Sequence, residues 1–332
     1  MTYSQGSLIQ ATDYNGFVST TANANVNDVY STGATDKGWG QTAVGTVSTS
    51  GTVTATQWAS LVNTITTMSN HTGVAITSRV APVATNTISI LSNLNTDLTN
   101  LNTSRGNAAA SGSAITTFSG TTSKTSATGS GTAAWTITFT HTVTFPSAAQ
   151  ARYFWNAGGL VKIMYGKTST GTTSDDDWNL LAGKCGSIFI SGRVNGAAQS
   201  IAGTSYTGTT RVGGTGGTQT TLATTTGWYN LTGSPTTIFQ LNDDVSPYSG
   251  EYIRTTATAT SSTVLTLVTT WVSDGASGSV GSSANISGGT DTASPTSTIT
   301  GTAPTTLVNA IPPSTTYLTN SWGTPVIGAG VA

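Results

Sequence analysis

The chain has 332 residues, only 7% of them charged, with a formal net charge of −1 and a sequence pI near 6.0. A soluble domain typically carries about 25% charged residues, so polarity here falls to Thr, Ser, Asn and Gly, and no net field exists to attract nucleic acid or an anionic membrane. A single cysteine, Cys185, excludes an intramolecular disulfide framework, and no run of about 18 apolar residues marks a membrane span.

At this length a chain buries roughly three quarters of its unfolded surface, enough for one large domain or several smaller ones. Residues 1–110 read as a helical region for assembly and attachment. Thr12 is a candidate N-cap, and Tyr14, Phe17, Val18, Val26, Val29 and Tyr30 share one face of a helix expected over 12–31 and ended by Gly33. A glycine-rich loop over 35–51 carries Trp39 between Gly38 and Gly40. Thr54 and Gln57 then form a capping box, and Trp58, Leu61, Val62, Ile65 and Met68 make the apolar stripe of a second helix. In a third segment Leu91, Leu94, Leu98 and Leu101 are spaced three, four and three apart, a narrow seam of coiled-coil type. Such a seam packs on the two preceding helices or pairs with another copy of the chain, and the spacing does not choose between them.

Residues 111–131 read as a small, polar linker with Ile115 and Phe118 as anchors. A β domain is expected over 132–274. Its clearest strand alternates Trp135, Ile137, Phe139, His141, Val143 and Phe145 with threonines, the period of a strand buried on one face. Pro146 ends it. Arg152 to Trp155 is an aromatic cluster, the residues from Asn156 to Gly159 a reversal, and Leu160, Val161, Ile163 and Tyr165 a second strand. A Thr, Gly and Asp-rich loop is expected over 167–184, with further strands at 187–191, 236–241, 251–257 and 262–272. The fold class is therefore α+β, a helical region followed by an antiparallel, sandwich-like β region. Residues 275–332 form a low-complexity extended segment, which Trp322, Val326 and Ile327 could dock as a strand.

Candidate chemistry is sparse. Asp175, Asp176 and Asp177 with Asp243 and Asp244 could offer oxygens to Ca²⁺, but they lack the spacing of a calcium loop; a solvated acidic loop is the plainer reading. Glu251 could join either Asp cluster as a hydrolytic pair only if the fold brought them within reach. His71 and His141 have no second histidine nearby. Cys185, beside Lys184, reads as a buried hydrophobe, and Gly158-Gly159 and Gly213 to Gly217 as turns, without the context of a phosphate loop. Trp228, Tyr229 and Tyr248 are candidates for stacking on a glycan. No catalytic, cofactor or metal residue is assigned.

The segments IQATDYNGFVSTT, VNDVYSTGATDKGWGQ, VTATQWASLVNTI and FPSAAQARYFWNAGGLVKI resemble structural proteins of tailed bacteriophages, in particular fibre-like and baseplate- or neck-associated virion proteins. The resemblance covers residues 8–75 and 135–165. It implies a non-enzymatic virion subunit, a homo-oligomer and commonly a trimer, joined to other virion proteins through its N-terminal region and exposing its β region. The opening residues, MTYSQGSLIQATDYN, have no basic n-region or apolar h-region, which agrees with a subunit made in the host cytoplasm and released by lysis. Two other readings remain: a carbohydrate-binding or depolymerising receptor-recognition spike touching a host-surface glycan, and a prokaryotic surface-layer-like protein.

Overall fold

A computed structural model describes residues 10–19, 24–33, 37–84, 93–114, 126–128, 135–168, 173–245, 248–273, 296–298 and 304–331. In chain order these form α1 (Ala11–Val18), α2 (Val26–Val29), α3 (Ala55–Thr72), α4 (Leu94–Thr103), β1 (Ser126–Thr128), β2 (Trp135–Thr144), α5 (Ala148–Asn156), β3 (Leu160–Gly166), α6 (Thr173–Cys185) and β4 (Ser187–Ser191). There follow β5 (Gln199–Ile201), β6 (Thr204–Tyr206), β7 (Thr209–Val212), β8 (Thr218–Leu222), β9 (Thr236–Asn242), β10 (Tyr252–Ser261), β11 (Val264–Ser273), β12 (Thr296–Thr298), β13 (Thr305–Ile311) and β14 (Val326–Val331). Among the described residues the paired strands are all antiparallel, so the fold is α+β with its helices mostly ahead of the strands.

The larger sheet runs β12-β1-β2-β11-β10-β9-β8, with β14 also on β2, and the smaller runs β13-β3-β4-β7. The expected parity of β2 holds: Ile137, Phe139, His141 and Val143 are fully buried, while the threonines between them lie on the other face. The two sheets meet through these inner faces. Tyr165 of β3 stacks on Phe239 of β9 at 5.9 Å, and its hydroxyl bonds Thr255 Oγ1 at 2.7 Å. Trp271 Nε1 donates to Thr306 Oγ1 of β13 at 3.4 Å. α6 fills one end between the sheets, with Trp178 against Trp271 at 5.7 Å.

Three sequence expectations change, and a fourth, the docking of the tail as a strand, is met and extended. The helix over 12–31 is two helices, because α1 ends at Val18 and α2 starts after Asn25, whose side chain accepts from Asp28 N. The aromatic cluster at Arg152 to Trp155 is the last part of α5, capped by Ser147, whose hydroxyl accepts from Gln150 N. The loop expected over 167–184 contains α6. The tail is not uniformly loose: β13 pairs along β3 and β14 along β2, and Leu318 and Trp322 are buried. Ile115 and Phe118 lie outside the described residues.

One hydrophobic core cluster runs from Ala11 to Ile327 and takes in helices and both sheets. On the helical side Trp58 of α3 meets Tyr14 and Phe17 of α1 at 5.4 and 6.2 Å. Leu94, Leu98 and Leu101 of α4 are buried in the same cluster, which is the intrachain alternative for the leucine seam; Leu91 lies outside the described residues. Arg79 anchors the extended segment after α3 through a buried ion pair with Asp97 of α4 at 2.5 Å.

A buried polar hub joins the helical region to the sandwich. Trp39 Nε1 donates to the carbonyls of Arg105 and Asn156 at 2.9 and 3.1 Å, and its ring packs on His71 at 4.8 Å. Asn156 Nδ2 donates to Gly38 O at 3.0 Å. Gln41 reaches the C-terminal part of the chain: its amide donates to Thr319 O at 2.9 Å and its Oε1 accepts from Thr319 N at 2.8 Å. Buried amide and indole groups need such partners, because an unmet one costs about 1–3 kcal/mol.

Candidate functional site

The densest set of ionisable groups among the described residues lies at the end of the sandwich that α6 fills. Asp177 and Lys184 are about two turns apart on α6 and so share a face. Across from them β9 ends and β10 begins. Asn242 pairs with Tyr252, which makes Asp243 and Glu251 the next pair out, on the inward face with Leu241 and Ile253; Asp243 N donates to Glu251 O at 2.9 Å. Continuing across the sheet, Ser273 of β11 donates from Oγ to Glu251 Oε1 at 3.0 Å. Asp177, Asp243, Glu251 and Ser273 are exposed by only 4, 1, 2 and 1%.

Asp243 is the centre. Its Oδ1 accepts from Lys184 Nζ at 3.0 Å, from Asp244 N at 2.6 Å and from Val245 N at 3.0 Å. Its Oδ2 and Asp177 Oδ2 are buried and take no hydrogen bond from another N–H or O–H. Burial without a donor disfavours ionisation of both carboxyls. Burial first, and then the hydrogen bond and charge of Asp243, raise the Asp177 pKa from 3.8 to about 8. Partial burial works against the Lys184 ammonium, but hydrogen bonds to Asp244 and Asp243 outweigh it and its pKa is raised. Asp244, on the rim, is lowered by its hydrogen bond from Lys184 and by one from Gly217 N at 2.8 Å.

The glycine run closes this end. It takes the chain from β7 in the small sheet to β8 in the large one, over the C-terminus of α6. Gly214 has φ +69 and sits so close that a Cβ would lie 2.2 Å from Lys184 O. Gly217, with φ +73, would strike Leu241 at 2.8 Å. Arg211 of β7 donates to the carbonyls of Lys184 and Gly216.

The structure thus brings Asp177 to Asp243, and Asp243 to Glu251, from the acidic groups considered separately in the sequence. The side chains of Asp175 and Asp176 lie outside the described residues. No group of three or more His, Cys, Asp or Glu among the described residues has the arrangement of a metal site. Cys185 is fully buried, and its thiol pKa is raised by that burial. His71 and His141 are buried as well, and desolvation lowers each to about 4. His71 Nε2 faces Ala157 O at 3.1 Å; a carbonyl only accepts, so Nε2 carries the hydrogen.

The aromatic candidates separate. Trp228 is 7% exposed and stacks on Trp155 at 5.5 Å with the rings 14° apart, so its faces belong largely to the core. Tyr229 next to it is 43% exposed, with its hydroxyl donating to Asn156 Oδ1 at 2.7 Å. Tyr248 is half-buried in a short 3₁₀ turn in the loop before β10. Trp228 and Tyr229 are neighbours in the chain, whereas Tyr248 belongs to the connection that carries Asp243 and Glu251, its carbonyl accepting from Glu251 N at 2.9 Å.

No helix among the described residues is long and apolar enough to cross a membrane. No known protein family, curated protein or solved structure matches the chain.

Proposed function

We propose that this chain is a structural subunit of a phage particle, a tail fibre, spike, baseplate or neck component that self-assembles, with no catalytic role. The observation that carries the reading is the chemistry of two strand edges. β8 ends the large sheet and β14 lies along β2, and their sequences, TQTTL and VIGAGV, contain no charged residue. Edge strands of monomers are commonly guarded by lysine, proline or a covering element, because an open row of N–H and C=O groups accepts another strand. β8 has a register irregularity at Gln219 to Thr221, which bends that edge; β14 pairs with β2 residue for residue, and Val326 on it is 66% exposed. Among the described residues each of these strands is paired on one side only; a second copy of the chain offers the same two edges, and the low charge of the protein removes repulsion between copies.

The partners in this reading are further copies, as a trimer, and other virion proteins; the location is the virion. Light scattering on the full-length protein tests assembly. A trimer is expected, with Val326→Lys moving the mass to monomer; wild-type protein that stays monomeric at every concentration overturns the reading. Mass spectrometry of purified particles tests the location, and particles lacking the chain would rule it out.

The exposed ring of Tyr229 favours one second reading, contact with a host-surface glycan. Loss of glycan binding in Tyr229→Ala with the oligomer intact is its expected mark.

A further inference from the structure

We infer that the outer face of the large sheet, over β14, β2, β11 and β10, is a contact surface on which the same face of another copy of this chain packs. The inference rests on the reading that the chain assembles with itself, and adds a face to the open edges.

The register defines that face. On β11 the side chains of Leu265, Leu267, Thr269 and Trp271 are buried on the inner side, so Val264, Val268 and Val272 point outward, each of the three partly buried. Thr140 of β2 and Thr256 of β10 flank Val268. Beyond β2, Val326 of β14 stands beside Thr144 on the same face and is 66% exposed.

Three features of the face favour protein over water as its cover. β11 carries valines outward as well as leucines inward, the pattern of a strand covered on both sides, whereas a strand with one face in water alternates apolar with polar. Among the residues that the register places outward on these four strands, Arg254 is the only charged one, and its guanidinium lies over the Tyr252 ring at 5.5 Å, on the β10 side of the face. Gly328 and Gly330 leave β14 without side chains here. Gly330 is not left-handed, and a Cβ there would meet nothing within 4 Å, so nothing among the described residues requires glycine. A bare strip in a strand suits the close approach of another backbone.

Chemistry and size identify the occupant. A charged partner would bury its charges here without counter-ions, whereas a second copy brings a face of the same threonine and valine chemistry. β2, β10 and β11 are each ten residues long. Four strands at about 4.8 Å spacing give a patch of roughly 600 Å² in flat projection, which with the relief of its side chains approaches the about 800 Å² per partner of a standard interface. Two such faces pack about 10 Å apart, with strands within about 30° of each other. The open edge of β14 borders the patch at Val326, so face and edge form one continuous surface.

The test uses the full chain and its one native cysteine, Cys185, which is fully buried. Thr140→Cys therefore supplies the single accessible thiol on the face, and Thr225→Cys supplies one in an exposed loop away from it. Maleimide labelling is followed over a protein concentration series, with the mass read by light scattering. In the assembled protein the thiol at 140 should be protected and should become reactive on dilution, while that at 225 reacts alike throughout. Thr140→Lys should weaken association about a hundredfold, because each copy then buries a charge against its like, and should leave the urea stability of the dissociated chain unchanged. An oligomer whose thiol at 140 labels as fast as that at 225 overturns the face and leaves assembly through the edges standing. A chain that stays monomeric at every concentration overturns the assembly reading and this inference with it. Protection at 140 in such a monomer would assign the cover to the chain itself.

Discussion

The two buried polar clusters of this protein hold their hydrogen bonds by different means. At the hub every strong contact pairs a neutral donor with a carbonyl or amide oxygen: Trp39 with Arg105 O and Asn156 O, Gln41 with Thr319, His71 with Ala157 O. At the other cluster the partners are carboxyls and an ammonium: Lys184 Nζ donates to Asp243 and Asp244, and burial, then the neighbouring Asp243, raise the Asp177 pKa. Neutral pairs in a core keep their geometry whatever the solution, whereas a buried ionic group ties geometry to pH. The hub is therefore suited to joining distant parts of the chain permanently, and the acidic end to responding.

The strongest way to break the comparison is to remove the centre of the hub. Trp39→Ala leaves a large cavity and two carbonyls without a donor, and a loss of about 3–5 kcal/mol is expected in chemical denaturation. Because one core spans the helices and both sheets, the unfolding should remain a single transition seen alike by far-UV dichroism and tryptophan fluorescence. Two separate transitions would mean that the helical region and the sandwich fold as independent units. Trp39→Phe keeps most of the volume and should cost about 1–3 kcal/mol.

His71 is the place where the hub is not fully indifferent to pH. Desolvation lowers its pKa from 6.5 to about 4. The unfolded chain then binds more protons between those values, so this contribution is whole above about pH 6.5 and is lost as pH falls toward 4, a total on the order of 3 kcal/mol. His141 acts with the same sign. Asp177 acts with the opposite sign: its pKa, raised from 3.8 to about 8, makes the folded chain bind more protons between those values, so stability falls as pH rises through them. A stability maximum near pH 6.5 is therefore expected. His71→Gln, whose amide can still donate to Ala157 O, should weaken the acid slope by about one proton's worth; an unaltered acid slope would show that His71 already titrates normally.

Gln41→Ala tests whether the C-terminal part is held by the hub. Both backbone groups of Thr319 lose their partner, and about 1–3 kcal/mol is expected. Proteolysis should then begin within 314–325, between β13 and β14. Resistance equal to wild type would place the anchorage in Trp322 and the strand pairing alone.

These clusters mark what could be read from the sequence. The face of β2 was visible because alternation is a local property, and α3 because Thr54, Gln57 and an apolar stripe lie within a few turns. α5 and α6 also carried signals that the aromatic cluster and the Asp run obscured. Ser147 and Gln150 have the spacing of a capping box. The Asp run occupies the third to fifth positions of α6, near the end where acids favour the helix dipole, ahead of Trp178, Leu181, Ala182 and Cys185 on its buried face. The pairing of Asp177 with Asp243, and of Trp39 with Asn156, was not visible at any local scale. It depends on sheet register and on how α6 enters the sandwich, and no periodicity along the chain encodes either. The tail was half legible: Trp322, Val326 and Ile327 pointed to a docked strand, which β14 is, whereas the Ser, Gly and Thr bias hid β13, which needs only Thr306, Val308 and Ala310 on one face to pair and bury.

Tyr229 gives the smallest and sharpest contrast, since it touches the hub with its hydroxyl and solvent with its ring. Tyr229→Phe removes one neutral hydrogen bond to Asn156 Oδ1 and leaves the 43% exposed ring in place. The expected loss is about 0.5–1.5 kcal/mol, equal at pH 6 and pH 8 because neither partner changes charge in that range. If the ring contacts a glycan, Tyr229→Phe keeps that binding and Tyr229→Ala abolishes it. Binding lost in both variants would assign the contact to the hydroxyl, and the hub bond to Asn156 would then have to open when glycan arrives.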